Sequence, residues 1–192
     1  PTARAPPARA GPAGQKEGAL MIMPRGQPLL MPVNPAFIVA SLVAGLALNM
    51  LPLGRVPWAP DLLMLLLAFW GVHQPSRVGI GVAFALGLCM DVSQSALLGQ
   101  HALASSLLMY GAHEARRRLT WFGAWEQALH MIPLLAAIHA LQVLLRMISG
   151  GLFPGWELLA APLLEALLWP LVGWILLAPQ RRPPDKDENR PL

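Results

Sequence analysis

Six apolar runs, near Ala36–Leu53, Ala59–Val72, Val78–Val92, Ala96–Ala112, Gln127–Ile148 and Trp156–Leu177, follow one another with only short polar gaps between them. Soluble helices are seldom apolar over such lengths, because a solvated face interrupts the run with polar residues every few positions. The pattern predicts an all-α, polytopic membrane bundle of about six transmembrane helices. Crossing a hydrocarbon core of roughly 30 Å takes about 20 helical residues. The last two runs reach that length. The second and third do not, and they must thin the bilayer or lean on longer neighbours.

The charges are as informative by their placement as by their number. Only 12% of the 192 residues are charged, about half of the roughly 25% usual in soluble domains, and the mean hydropathy is +0.51. A net charge of +4 would suit nucleic acid if the cations lined an amphipathic face. They flank apolar runs instead, so no nucleic-acid partner is expected and the cations read as topology signals. With six spans, both tails and the gaps after spans two and four share one side. Those regions hold 12 of the 14 cations, among them Arg77 and the run Arg116, Arg117, Arg118; only Arg55 and Arg146 fall opposite. Both termini are therefore expected in the cytoplasm, with the bilayer as the first partner.

Residues 1–32 are rich in Pro, Ala, Gly and Arg and read as a disordered tail. Residues 33–179 form the transmembrane domain, and 180–192 are a second, charged disordered tail. No signal-peptide pattern precedes the first run. Small residues indicate how the helices meet: Gly79, Ala83 and Gly87 recur every four residues on span three, Gly81, Ala85 and Cys89 form a second row, and Ser41, Gly45 and Asn49 a third on span one. In lipid such rows let backbones approach. They predict that span three is central and surrounded by protein, with Cys89, the single cysteine, a buried inert thiol. Pro133, Pro162 and Pro170 mark expected kinks.

The unusual polar residues gather at a corner. The stretch Leu86–Arg118 reads as the end of one apolar helix, a polar turn, a second apolar helix and a cationic stop, with Asp91 and His101 at the turn. A carboxylate near the end of a short membrane helix is costly unless paired or wet, and often marks function. Its simpler role is to bind the loop backbone or His101 and fix the corner, with Ser93 and Ser95 available to cap the next helix. Asp61 follows Pro60 in the first turn of span two, where the helix dipole favours a carboxylate. His130 and His139 fall on opposite faces of span five and cannot serve one metal, while His139, Gln142 and Arg146 share a polar stripe. Glu165, mid-span six, needs a partner, and the sequence does not assign one. Ser105 and Ser106 lack a legible base and orienter. With no phosphate loop, metal spacing or dinucleotide fingerprint, no catalytic residue, cofactor or metal is predicted.

The segment DVSQSALLGQHA, Asp91 to Ala102, resembles the bacterial rod shape-determining protein MreD family. The likeness extends back through residues 60–91 and reappears at residues 167–177, covering roughly residues 34–180. Its motifs are an acidic residue ending span three, then Leu98, Gly99, His101 and Ala102 opening span four, then Trp169-Pro170 late in the last span. The sequence departs where the family often has a glycine after the aspartate; here Ser93-Gln94-Ser95-Ala96 stands instead. The resemblance implies a non-catalytic inner-membrane component of the cell-elongation machinery for peptidoglycan synthesis. Its implied partners are an MreC-like scaffold, the RodA glycan polymerase, a penicillin-binding transpeptidase, and an MreB-like actin filament reached through MreC or RodA. It also implies distant similarity to substrate-binding membrane subunits of vitamin transporters; the alternative, suggested by the polar groups at Asp91, His101 and Glu165, is a small-molecule or lipid-binding transporter subunit. Asp91, Leu98, Gly99 and His101 are the expected partner-binding or structural corner.

Overall fold

The computed structural model describes residues 33–51, 58–153 and 155–180; the two tails, Arg55 and the terminal arginines lie outside them. The described residues form six α-helices and no strand: α1 (Pro35–Met50), α2 (Leu62–His73), α3 (Ile80–Gln94), α4 (Gln100–Leu119), α5 (Ala124–Ile148) and α6 (Ala160–Leu177), the last entered through a 3₁₀ turn at Trp156–Leu159. α5, and α6 with its flanking 3₁₀ turns, are long and apolar enough to cross a membrane, while α1, α2 and α3 are shorter apolar helices. At the usual rise α2 spans only about 18 Å and α3 about 22 Å. Large apolar side chains such as Leu129, Leu144, Leu163, Leu167 and Ile175 point outward, the arrangement of a bundle solvated by lipid.

The helices run alternately up and down, which their end contacts establish. The C-terminus of α1 meets the N-terminus of α2 through Asn49 and Asp61, and the C-terminus of α3 meets the N-terminus of α4 through Asp91 and His101. At the opposite end the last turn of α4 meets the first of α5, where Gln127 Nε2 donates to Leu119 O. That second end carries Arg77 and Arg116–Arg118, while Arg146 sits in the last turn of α5 at the first. The bundle therefore has one cationic end and one end where buried polar groups collect.

The centre is α2, not α3. Nine of the 12 residues of α2 are buried, including Leu65, Phe69 and Trp70, and α1, α4 and α6 pack around it. Trp70 is held by its indole N–H, which donates to Ser41 Oγ at 2.9 Å, and by edge-on contacts with Phe37 and Phe69. α3 lies at the periphery. Only Ala83, Gly87, Met90 and Asp91 of it are buried, almost all against α4. Its second small row faces outward, so Cys89 is exposed rather than buried. The expectation of a protein-surrounded span three fails because small residues permit close approach without specifying how many neighbours use it.

One close approach is real. A Cβ built at Gly87 would lie 2.6 Å from Ala102 Cα and 2.6 Å from His101 O, both backbone of α4. Ser105 completes the contact, its Oγ lying 2.8 Å from Ala83 O on α3 and 2.7 Å from His101 O. Gly79 is different: a Cβ there meets nothing within 4 Å, so it takes no part in the helix contact expected of it. α3 ends at Ser95, whose φ of 52° is left-handed. A glycine tolerates that conformation and an L-residue is strained by it. α5 and α6 continue through Pro133 and Pro170, whereas Pro162 falls in the first turn of α6, where its missing N–H has no helical partner to lose.

Gly87→Ala should lower the thermal unfolding midpoint of the detergent-solubilised protein, by roughly 1–3 kcal/mol of stability if overpacking is typical, while Gly79→Leu leaves it unchanged. Similar midpoints for the two variants would refute the close approach. Ser95→Gly should raise the midpoint, by on the order of 1 kcal/mol.

Candidate functional site

The α3–α4 corner is built on a carboxylate that caps a neighbouring helix. α4 begins at Gly99, whose φ of 99° suits glycine alone, and which has no side chain to satisfy the helix's first N–H groups. Asp91, reaching across from α3, does so instead. Its Oδ2 accepts from Gly99 N at 2.8 Å and Ala102 N at 3.4 Å, and its Oδ1 accepts from His101 N at 2.7 Å. The His101 ring adds a fourth donor, Nδ1 to Oδ1 at 2.9 Å. Because the carboxylate accepts, Nδ1 carries the proton, which fixes the tautomer of the neutral ring.

This geometry explains how Asp91 is 1% exposed although a charge in a membrane bundle is expensive. Four donors and the positive end of the α4 dipole surround it. The carboxylate is buried, not water-facing as a helix-end position suggests, and the capping role offered to Ser93 and Ser95 belongs to Asp91. Ser93 Oγ donates back to Met90 O at 3.0 Å, and Ser95 is the left-handed residue described above. Leu98 is 69% exposed and packs against nothing in the core.

A second buried polar group was not legible as a unit. Glu165 is fully buried on α6, and its Oε1 shares a 2.8 Å hydrogen bond with His139 Nε2 of α5. The same oxygen accepts from the backbone N–H of Asp61 at 2.8 Å. Asp61 caps α2 by accepting from Met64 N at 2.9 Å, and Asn49 of α1 donates to its carboxylate. Asn49 Oδ1 in turn accepts from Leu62 N at 3.3 Å. Four helices are thereby tied together at one level, through Asn49, Asp61, His139 and Glu165. Asn49 had signalled only helix packing, and Arg146 is exposed rather than paired with Glu165. Glu165 Oε2 has no hydrogen-bond partner among the described residues.

Nothing in these clusters assembles a nucleophile with a base. Ser105 Oγ faces three carbonyl oxygens, and His130, stacked on Phe122, is held by Glu126 O on the far part of α5. Among the described residues no group of three or more His, Cys, Asp or Glu side chains could hold a metal ion.

With that geometry in hand, comparison with known proteins is decisive. The family model for rod shape-determining protein MreD matches residues 29–177. The chain belongs to the MreD family. It is 31% identical over 126 residues to the rod shape-determining protein MreD of Haemophilus influenzae, an alignment covering 66% of this chain and 76% of that one. No solved structure matches. Membership ties this membrane bundle to the determination of cell shape, and the matched residues include both the Asp91 corner and Glu165.

Glu165→Ala should destabilise the MreD bundle by about 3–5 kcal/mol, the usual cost of stranding one partner of a buried pair. Glu165→Gln, which keeps an acceptor for Asp61 N, should cost less. In a double-mutant cycle of thermal unfolding, His139→Ala should add little once Glu165 is alanine; additive effects would show that the pair is not coupled.

Proposed function

We propose that this MreD-family protein is a non-catalytic inner-membrane component of the bacterial cell-elongation complex, holding partner proteins of peptidoglycan synthesis in place. The observation that carries this reading is the use made of Asp91. Both of its oxygens are committed to the first turn of α4 and to His101, so the carboxylate most suggestive of chemistry holds two helices in register. A rigid hairpin with a lipid-facing outer surface is what a docking platform needs. The partner in direct contact is an MreC-like scaffold, with the RodA polymerase and its penicillin-binding transpeptidase assembled beside it and the MreB-like filament reached through MreC or RodA. Leu98, Gly99 and the ends of α3 and α4 are the proposed contact region.

Both termini are proposed to be cytoplasmic, because Arg77 and Arg116–Arg118 share one end of the bundle and cations favour the cytoplasmic side. Reporter enzymes active only outside the cytoplasm should be silent at either terminus and active when inserted between Ala96 and Leu98. The reverse pattern would invert the topology.

The structural role of Asp91 predicts a graded series. Asparagine keeps one acceptor oxygen but turns an amide N–H₂ toward donors; alanine leaves all four donors without the carboxylate, at about 1–3 kcal/mol for each one left unsatisfied. Asp91→Asn should therefore lose less thermal stability than Asp91→Ala, and loss of rod shape should follow loss of protein and of MreC-like partner in pull-downs. Rounded cells with normal abundance and normal pull-down in both variants would replace the scaffold with a chemical role for Asp91.

A further inference from the structure

The cationic end of the bundle carries charge that the fold leaves unused. Arg116, Arg117 and Arg118 are exposed in the last turn of α4. The ion pairs among the described residues join histidine to carboxylate, at Asp91–His101 and Glu165–His139, so none of these arginines meets a carboxylate. The carbonyl groups that end α4, the other natural acceptors for its cations, already have donors. Thr120 supplies its backbone N–H and its hydroxyl to Arg116 O, at 3.0 and 3.1 Å. Trp121 N donates to Arg118 O at 3.2 Å, and Gln127 Nε2 to Leu119 O at 3.1 Å. Of the two exposed glutamates near in sequence, Glu126 accepts from Gly123 N at 3.2 Å; the other is Glu114. Three arginines against two glutamates leave the turn net positive.

The same turn exposes large apolar rings. Trp121 is 88% exposed and Trp125 67%, with Phe122 between them. Trp125 also begins a longer feature, because Leu129, Leu144 and Ile148 are exposed as well and follow it at intervals of four, fifteen and four residues, each close to whole helical turns. These side chains form one face of α5, the face that lipid covers. A tryptophan closing such a face marks the level of the headgroups. The arginines stand at that level too. Leu119, the neighbour of Arg118, is bonded to Gln127, two residues after Trp125.

We propose that the α4–α5 turn binds anionic phospholipid, its phosphate on Arg116–Arg118 and its acyl chains along the face that starts at Trp125 and Leu129. Continuity with the lipid-covered face of α5 is what selects a lipid as the occupant. A soluble anion gains nothing from the rings, and a zwitterionic lipid brings an ammonium group that the arginines repel. A cation beside an anionic membrane surface strengthens binding by a factor of about five. The arginines thereby hold the α4–α5 hairpin at a fixed depth in the folded protein, a role separate from orienting the chain during insertion. The site is independent of the scaffold reading, since it lies at the opposite end from the Asp91 corner.

The test uses the full-length protein in mild detergent with native mass spectrometry, titrating phosphatidylglycerol and phosphatidylcholine with identical acyl chains. Phosphatidylglycerol should bind about tenfold or more tightly. Replacing Arg116, Arg117 and Arg118 together by glutamine should abolish that preference. Each single Arg→Gln change should weaken phosphatidylglycerol about threefold to fivefold, which keeps the test available if the triple variant fails to accumulate. Trp125→Ala should weaken both lipids alike, Glu114→Gln should tighten phosphatidylglycerol alone, and Arg146→Gln at the other end should change nothing. Glycerol phosphate, a headgroup without chains, should not displace the lipid. The proposal is overturned if phosphatidylcholine binds as tightly as phosphatidylglycerol, or if the arginine variants keep the preference. Displacement by glycerol phosphate would assign the arginines to a soluble anion and overturn it too. It is equally overturned if no lipid is preferred and the arginine variants instead release an acidic protein partner.

Discussion

A carboxylate taken out of water into a helical bundle has to find donors that are already fixed in place, and Asp91 finds them on a different helix from its own. The N-terminus of α4 offers several unpaired N–H groups and a partial positive charge, and Gly99 cannot satisfy them locally. The carboxylate and the helix end therefore complete each other. Close packing of Gly87 against the backbone of Ala102 and His101 brings the two helices near enough for this to happen. Much of the α3–α4 hairpin, from the Ser105 contact with Ala83 to the orientation of the His101 ring, depends on that pairing.

The same logic recurs at the α1–α2–α5–α6 junction. Glu165 Oε1 accepts from a backbone N–H and meets an imidazole, and Asp61 supplies the N–H because it caps α2. Capping and tertiary pairing are thus one structure seen from two helices. The short span α2 is held at a fixed depth by this junction, with Asn49 bonding it from α1. Polar groups tie the bundle together at one end; at the other, Phe69 packs against His73 and Trp169 and Arg116–Arg118 lie exposed.

The apolar runs made the six helices and their membrane setting legible, because nothing but lipid or protein interior accepts such lengths. The corner was legible as well: Asp91 and His101 interrupt an apolar pattern within ten residues, so their meeting needs only a tight turn. The Glu165–His139 pair was not, because its depth register depends on where the 3₁₀ turn at Trp156–Leu159 starts α6. The centrality of α2 escaped for a different reason. Lipid and protein interior are equally apolar, so an all-apolar helix carries no mark of which it faces, and α2 fills the centre with Phe69 and Trp70 rather than with small residues. The glycine missing after Asp91 is explained by Ser95, which adopts the left-handed conformation itself.

The trans-cap has a consequence for biogenesis. While α3 is being delivered to the bilayer by itself, Asp91 has no donors, and a helix of about 22 Å with an unpaired carboxylate at its end partitions poorly into lipid. The donors arrive only when the chain has been synthesised through the first turn of α4. α3 and α4 are therefore expected to enter the membrane as a single hairpin, with Asp91 closing the turn as the second arm emerges.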